Sequence, residues 1–592
     1  MTGLLRIASV LIFLAAAVAS AAEPLPYRFL LVVGKQWKDP ASKLIEAGGE
    51  FPVVVTLLKT WGLPFDILRL DQQRFDRYYL HDREGRPRYG AIIWDADAGA
   101  ADPKDMPLLS TLVKDQGVGL VALGDTVAIP EVAALTGLEY VSEYRLPDSV
   151  TFAGDHFITR GVKGREDEFA AGGSSRGSKV VAKEASVLAS RERLPLLTVR
   201  GRSVWLGAHR PGAEINRQVV RDLFKRALVY AQGYALYAEY PKSVILFMDD
   251  FGTSDRTYLP YWHYPTLDEN VIRKGLIEPL RRHRAVLMQD IVSGYVDRKN
   301  RRIVSPWTQQ VIDEIDGKTL HDYVSAKRGL DAGVREGVFE IQCHGYTHML
   351  PDLESPPGPF WDAPMDGAGT LGFDEEFGDK LRNRDVPAIT QRFLMERGLE
   401  YIRQDFGAVP LFVINGGSGK SLSYPHHSAR LSAEMGFGLG HFNAAWYLGK
   451  DLALAMEQVV RSGGWAHNRT LTGKDIPWTV DAPQFLVFHD RDISVDITAA
   501  ERLLTNLGAG IRYMTANEYS GYLHARVARG PEADALAVDY DEHYCRYFAG
   551  HPSTWVLHLS DETRGELKTS APEKRTITIP KGTGRHLVRL GQ

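Results

Sequence analysis

Short apolar runs that end in glycine or a polar residue alternate with helix-period stretches over the first 240 positions of the chain. The apolar runs are rich in β-branched residues, which is typical of buried strands. They span 27–34, 64–70, 89–94, 117–124 and 204–209. Helical patterns lie around 51–61 and 215–232. Strands that alternate with helices predict an α/β fold with a parallel, doubly wound sheet, here over 23–240.

This first block resembles a flavodoxin-like or class I amidotransferase-like layer in its order of strands and helices. The block contains no cysteine, so the amidotransferase nucleophile is absent. The turn after the first strand, Gly34-Lys-Gln-Trp-Lys, lacks a glycine-rich phosphate loop. A fold resemblance does not assign an activity. We therefore interpret the block as a binding or spacer domain without catalysis.

In the second block, 241–525, polar clusters follow directly after apolar strands. These clusters begin at Asp249, His344, Asn415 and His489. In α/β barrels the catalytic groups lie at this end of the strands. We therefore expect the four clusters to converge on one mouth.

The last block, 526–592, has the alternating pattern of short strands separated by turn-like Gly, Pro and Ser stretches. It is predicted to form a small β-rich C-terminal region.

Composition narrows the class of protein. The 592 residues are 44% hydrophobic and 24% charged, with a formal net charge of −4, as expected of an ordinary globular protein. The chain has no net positive charge that would favour binding to nucleic acid. Two cysteines are too few for a disulfide scaffold or a cysteine-rich zinc module.

The N-terminus predicts the compartment. Residues 1–22 combine one basic residue, an apolar run over 7–18 and the small residues Ala19-Ser20-Ala21, the pattern of a cleaved signal peptide. The run is shorter than the about 20 residues that a transmembrane helix needs. We expect a secreted or periplasmic protein without a transmembrane segment; the sequence leaves the oligomeric state open.

The clusters contain the residues of a metal site. His344 and His348 are four positions apart, a spacing that lets both imidazoles reach one ion. A carboxylate from the Asp249–Asp250 pair completes a set of two histidines and one acid, which binds Zn²⁺ and leaves coordination positions open. Co²⁺, Ni²⁺ or Fe²⁺ fits the same set. The other acid is placed to take a proton from water, and a histidine from a later strand to protonate a leaving group.

Three motifs in this block, Met248-Asp-Asp-Phe-Gly252, His344-Gly-Tyr-Thr-His348 and Leu486-Val-Phe-His-Asp490, resemble signatures of polysaccharide deacetylases. That family is the NodB-homology domain of carbohydrate esterase family 4. The resemblance implies a distorted (β/α) barrel. It also implies that Asp249 is the general base, that Asp250, His344 and His348 are the metal ligands, and that His489 is the general acid.

The chain departs from the family pattern in several places. Phe251 separates the second Asp from Gly252, and the long interval before His344 implies an insertion within about 256–333. The Arg-Pro motif that would orient the base is replaced by Asn415-Gly-Gly-Ser-Gly419, and only Asn443-Ala-Ala-Trp446 lies near the place of the fourth motif. We predict a divergent multidomain member of the family.

The predicted function is metal-dependent hydrolysis of N-acetyl groups on an N-acetylhexosamine-containing polysaccharide. Two alternatives stay open: a secreted carbohydrate-binding or scaffold protein with a vestigial site, and a hydrolase acting on an O-acetyl or amide group of a small molecule. Aromatic faces stack on sugar rings. One or two of six aromatic residues are expected to contact substrate: Tyr258, Tyr261, Trp262, Trp307, Trp361 and Trp446.

Overall fold

The computed structural model of the chain describes residues 24–34, 51–145, 149–169, 176–207, 217–351, 376–379, 384–416, 428–442, 445–447, 453–454, 465–466, 476 and 478–591. The predicted signal peptide lies outside the described residues, as do Gly417, Asn443 and Trp361. None of the described helices has both the length and the apolar character needed to cross a membrane.

The first block forms an eight-stranded sheet. Its strands and the two beside it are β1 Phe29–Val33, β2 Phe65–Arg69, β3 Ala91–Asp95, β4 Gly119–Leu123, β5 Leu138–Arg145, β6 Val150–Phe152, β7 Arg176–Ala182, β8 Ser186–Arg191, β9 Leu194–Arg200 and β10 Ser203–Leu206. The order is β2-β1-β3-β4-β10-β9-β8-β6, with the first five strands parallel. The parallel part has the flavodoxin-like order, which confirms the predicted doubly wound layer. The antiparallel extension and the β5–β7 pair are additions that apolar runs alone did not predict.

Helices cover this sheet, and the last of them leads out of the domain. They span Phe51–Thr60, Arg77–Leu80, Met106–Ser110, Pro130–Thr136 and Gln218–Gln232. The helix 218–232 buries Val220, Phe224 and Leu228 along one stripe, since positions four apart share a face. It ends at Gly233, and β11 Tyr234–Tyr237 follows at once.

The second block is built around an open parallel sheet. Its strands are β12 Ser243–Phe251, β13 Leu287–Ile291, β14 Tyr295–Asp297, β15 Arg302–Val304, β16 Gln310–Ile312, β17 Leu320–Asp322, β18 Phe339–Cys343, β19 Gly378–Asp379, β20 Arg384–Asp385, β21 Phe412–Ile414, β22 Leu439–Phe442, β23 Ala445–Tyr447, β24 Ala453–Leu454, β25 Trp465–Ala466, β26 Gln484–His489 and β27 Arg512–Tyr513. The strands β22-β21-β18-β13-β12-β26-β25 are parallel neighbours. The interval 256–333 adds β13 to this sheet and carries two hairpins, β14–β15 and β16–β17.

Side chains alternate between the two faces of this sheet. Leu246 and Met248 of β12 pack in the core under the outer helices. Phe247 points to the other side, toward Phe412 and Phe485, with ring centroids 6.1 and 6.5 Å away. The helices of this block span Glu269–Ile272, Arg273–Ile277, Glu278–His283, Tyr323–Arg335, Ala388–Phe406, Ser428–Glu434, Asp490–Val495, Ala499–Leu507 and Ala516–His524.

The last block contains β28 Arg526–Arg529, β29 Ala535–Tyr540, β30 Ser553–Leu559, β31 Lys574–Ile579 and β32 Gly584–Arg589, with short helices at Tyr547–Gly550 and Asp561–Glu566. It forms two three-stranded sheets, β28-β29-β32 and β11-β30-β31. The second sheet includes β11, which comes from the end of the first block. Trp555 packs against Tyr522 of the barrel with ring centroids 5.4 Å apart, so this region contacts both other blocks.

Four buried side chains and the half-buried Gln218 join the first block to the barrel. We call them the Asp481 cluster: Trp61, Gln218, Arg221, Lys225 and Asp481. The Asp481 carboxylate accepts from Trp61 Nε1 at 2.9 Å, Lys225 Nζ at 2.8 Å, Arg221 Nε at 2.7 Å and Gln218 Nε2 at 2.9 Å. The Lys225 ammonium lies over the Trp61 ring, 4.7 Å from its centroid. The two blocks are therefore fixed together by a hydrogen-bonded ionic contact.

Candidate active site

The carboxyl ends of five neighbouring strands, β21, β18, β13, β12 and β26, meet at one edge of the barrel sheet. In the parallel register Asp249 lies opposite His489, Ile291 opposite Cys343, and Cys343 opposite Val413. The residues that follow β12, β18, β21 and β26 therefore share one side of the sheet. The four polar clusters of the sequence converge there.

The three predicted metal ligands lie within contact distance of one another. Asp250 Oδ1 is 3.1 Å from His344 Nε2 and 3.3 Å from His348 Nε2, and all three side chains are buried. Around a tetrahedral ion with bonds of about 2.0–2.1 Å, ligand atoms are separated by about 3.3 Å. The residues present therefore fit a divalent ion with imidazole and carboxylate ligands.

The backbone at two of these residues is held in an unusual conformation. Asp250 has φ +71° and His348 has φ +64°, a region that costs a residue other than glycine about 1–3 kcal/mol. The fully buried Arg256 donates from Nη2 to the Asp250 carbonyl oxygen at 2.8 Å. Asp255 Oδ2 lies 2.7 Å from His348 Nδ1, which turns Nε2 of that ring toward Asp250. These contacts stabilise the ligand-presenting conformation.

Arg256 also joins the first motif to the third. Its guanidinium donates to Asp490 Oδ2 at 2.6 Å, and both side chains are completely buried. The Tyr264 hydroxyl donates to the other Asp490 oxygen at 2.8 Å, and the Tyr264 ring lies 4.8 Å from the guanidinium. This pair fixes His489, the neighbour of Asp490, relative to the end of β12.

Asp249, the predicted base, has a second acid as its neighbour. Burial raises the pKa of Asp249, although the nearby His344 and His489 oppose that shift. Asp290, at the end of β13, lies beside Asp249, and its pKa is raised well above the usual range by burial and by the Asp249 charge. Two buried carboxyl groups in contact share a proton, because they cannot both ionise. Asp290 thus lies beside the predicted base, where the resemblance in sequence implied an arginine.

His489, the predicted acid, lies at the start of the helix 490–495. Its Nε2 is 3.6 Å from Asp250 Oδ2, and its backbone N–H donates to Asp492 Oδ2 at 2.9 Å. Burial lowers its pKa, but the carboxylates of Asp250, Asp492 and Asp249 outweigh burial and raise the pKa to about 9. About a quarter of the side chain is exposed. The ring is therefore protonated near neutral pH and reachable from outside.

Glu376 is a site residue that the sequence analysis missed. It is completely buried, and its carboxylate accepts from the backbone N–H groups of Tyr346 (2.9 and 3.0 Å) and Thr347 (3.0 Å), inside the loop between the two histidines. Gly345 has φ +77°, and a Cβ there would lie only 1.9 Å from Glu376 Oε2. Burial raises the pKa of Glu376 to about 7. Glu376 belongs to none of the sequence motifs. The sequence shows only that an acidic residue occurs in the long interval between β18 and β21, which does not predict a place in the site.

The turn after β21 packs directly behind a ligand. Asn415 is buried, and a Cβ on Gly416 would lie 2.8 Å from the Cα of His348. The Gly416 carbonyl accepts from the Glu376 N–H at 3.4 Å. The oxyanion role predicted for the turn 415–417 falls partly outside the described residues and stays a prediction.

The aromatic candidates separate into two groups. Tyr258 and Trp307 are buried, and Trp307 packs on Phe406 with centroids 5.4 Å apart. Trp262 is half-buried, and its ring centroid is 5.2 Å from that of His348. The other three side chains, Tyr261, Trp361 and Trp446, lie outside the described part of the chain. Trp262 is thus the described candidate nearest to the metal-site residues.

No protein family model and no curated protein matches the chain. Among solved structures, Agd3, described as a novel carbohydrate deacetylase, matches with 10% identity and a TM-score of 0.38, over 96% of this chain and 99% of that one. The BpsB deacetylase domain from Bordetella bronchiseptica matches with 13% identity and a TM-score of 0.22, over 40% and 81%. A glutamine amidotransferase from Thermotoga maritima matches with 14% identity and a TM-score of 0.20, over 31% and 75%. All three TM-scores are below 0.5, so these similarities do not assign a function to this chain.

Proposed function

We propose that this chain is a metal-dependent deacetylase that hydrolyses N-acetyl groups of an N-acetylhexosamine-containing polysaccharide outside the cytoplasm. The observation that carries the proposal is the approach of Asp250 Oδ1 to both His344 Nε2 and His348 Nε2, at 3.1 and 3.3 Å. Asp249 and His489 flank this set as a base and an acid. The predicted signal peptide at 1–22 supports export.

The ion expected at this set is Zn²⁺, which prefers imidazole and carboxylate ligands, and Co²⁺, Ni²⁺ or Fe²⁺ would fit the same residues. Bound there, such an ion supplies Lewis acidity to a carbonyl oxygen and makes water more acidic. Asp250, His344 and His348 hold the ion. Metal analysis of the protein as purified, with chelation and reconstitution, identifies it.

The chain's own residues supply the proton transfers. Asp249 accepts a proton from the attacking water, and Asp290 beside it holds the shared proton that keeps the pair singly charged. His489, with its pKa raised to about 9, donates a proton to the amide nitrogen as the C–N bond breaks. A backbone N–H in the turn 415–417 is proposed to donate to the developing oxyanion.

A glycan substrate is supported by the aromatic face beside the ligands. Trp262 is half-buried next to His348, where a sugar ring can stack on its exposed part. A polymer requires an open groove, whereas a small substrate favours a closed pocket.

The test measures acetate released from acetylated glycans by the purified, metal-loaded protein. Asp249→Asn and His489→Ala are each expected to lower kcat/KM by about 10²-fold or more. His283→Ala is the matched control, because His283 forms an ordinary ion pair with Glu501 at 2.9 Å on the outer helices. A metal-loaded protein that releases no acetate yet binds glycans equally well after His344→Ala and His348→Ala would favour the binding-protein alternative. Release of acetate only from small acetylated compounds would favour a small-molecule hydrolase.

A further inference from the structure

A second set of ligand-type side chains lies outside the candidate active site. It consists of His263, after the half-buried Trp262, and Asp313 and Asp316, in the turn between β16 and β17. We propose that these three residues bind a second divalent cation, Zn²⁺ or a similar ion that accepts nitrogen and oxygen ligands. We call this set the His263 site.

The distances favour a cation over a hydrogen-bonded ion pair. His263 Nε2 lies 3.3 Å from Asp313 Oδ2 and 3.4 Å from Asp316 Oδ2. Both distances exceed the 2.7–3.2 Å of an N–H···O hydrogen bond. They agree with the about 3.3 Å between ligand atoms of a tetrahedral ion. The Asp250–His348 pair of the candidate active site has the same separation, 3.3 Å.

Backbone N–H groups of the turn orient the carboxylates of Asp313 and Asp316. Asp313 Oδ1 accepts from the N–H groups of Ile315 and Asp316 at 2.6 and 3.0 Å. Asp316 Oδ1 accepts from the N–H groups of Lys318 and Thr319 at 2.7 and 2.9 Å. Oδ2 of each residue faces His263 Nε2, and Oδ2 of Asp316 also accepts from the Thr319 hydroxyl at 2.7 Å. Hydrogen bonds of this kind orient the ligands of metal sites.

The charge of the set also favours a cation. The buried His321 lies 3.0 Å from Asp313 Oδ2, and its Nδ1 lies 3.2 Å from Thr266 Oγ1. The two carboxylates of Asp313 and Asp316 thus lie close together, and a bound divalent ion would neutralise their negative charge.

The type of ion follows from the ligands. Calcium takes six to eight oxygen ligands, whereas this set offers one imidazole and two carboxylates, a combination suited to zinc and its neighbours. His263 and Asp316 each have about a third of the side chain exposed, which leaves an entry path. An ion here would tie the β16–β17 hairpin to the segment that carries Trp262. We infer that it stabilises the rim beside His348 rather than taking part in hydrolysis.

The test is the zinc stoichiometry of the full chain after equilibrium dialysis. We expect two equivalents for the wild type. We expect one for His344→Ala/His348→Ala and one for His263→Ala/Asp316→Asn. His283→Ala, which removes an equally accessible histidine from an ordinary ion pair, should keep two. One equivalent in the wild type, or two in His263→Ala/Asp316→Asn, would overturn the proposal.

A second measurement does not depend on the folding of a variant. Anomalous diffraction at the zinc edge from wild-type crystals should give a peak between His263, Asp313 and Asp316. No peak there, in crystals with zinc at Asp250, would refute the His263 site. Neither measurement reads acetate release, so failure of the proposed deacetylase activity stays distinguishable from failure of this site.

Discussion

The Asp481 cluster and the candidate active site are both buried and both centre on aspartates, yet their electrostatics are opposite. Each Asp481 oxygen accepts from at least two donors, and the Arg221 and Lys225 charges help lower the pKa of this carboxyl. At the active site Asp249 Oδ1 and both Asp290 oxygens have no donor among the described residues, and both pKa values are raised. Buried polar groups are normally satisfied.

The contrast separates a structural contact from a reactive one. Asp481 is satisfied by the chain itself, so nothing further is required of it. The acids at the barrel mouth outnumber the buried cations beside them, and Arg256 is already paired with Asp490. A buried excess of negative charge needs a cation or protons from outside the chain. The unsatisfied region is therefore where binding and proton transfer are expected.

The largest effect is expected from removing a ligand. Asp250→Asn should lower kcat/KM by about 10³-fold or more, because the several kcal/mol contributed by the ion are lost. It should remove one equivalent of bound metal while the free energy of unfolding of the metal-free protein changes little. A large loss of stability in the metal-free protein would mean that the active site is a structural contact like the Asp481 cluster.

Replacing aspartate with asparagine should have different effects on stability in the Asp481 cluster and in the candidate active site. Asp481→Asn should lower the free energy of unfolding by about 3–5 kcal/mol, because it removes the buried negative charge that Arg221 and Lys225 share. Asp290→Asn should change it by less than about 1 kcal/mol, since an amide replaces a carboxyl that is already protonated. Urea titrations measure both values. Equal losses for the two variants would contradict the contrast.

A smaller effect is expected at the loop between the ligands. Glu376→Gln should weaken metal binding by about 10–100-fold, as for other residues that orient ligands, because the amide nitrogen cannot accept from the loop N–H groups. Glu340→Gln is the control, since it removes a half-buried carboxyl from β18 without touching that loop. Competition with a chromogenic chelator gives the affinities. Identical affinities for the two variants would show that Glu376 has no positioning role.

The acid sensitivity of stability should be the smallest effect. Since the folded pKa of Asp481 is lower than its unfolded value of about 3.9, its contribution is full above that pH and is lost as pH falls toward the folded pKa. The free energy of unfolding should therefore fall below about pH 4, and Asp481→Asn should flatten this slope. Parallel slopes for the two proteins would exclude Asp481 as a source of the acid sensitivity.

The elements of the site that could be predicted were those with a local pattern. Asp249, His344, Asn415 and His489 each follow an apolar run, and the parallel sheet brings those ends together. Asp290 also follows an apolar run, 285–288, so the same rule could have found it. Its contact with Asp249 depends on β13 lying beside β12, which local pattern does not encode.

Residues that act through long-range contacts could not be predicted. Glu376 is linked to its loop by hydrogen bonds across about 30 positions, and Asp481 reaches Lys225 across 256. Such pairs leave no periodicity in the sequence. The pairing of β11 with β30 likewise joins two blocks that the sequence analysis treated separately.

The β11–β30 pairing has a consequence for how the chain is made. Tyr237 on β11 hydrogen-bonds with His558, 321 positions later. At a synthesis rate of about 5–20 residues per second, β11 waits roughly 15–65 s for its partner strand. During that time an unpaired strand edge is exposed, which is a hazard for aggregation. The first block therefore cannot complete its folding until β30, at residues 553–559, has been synthesised.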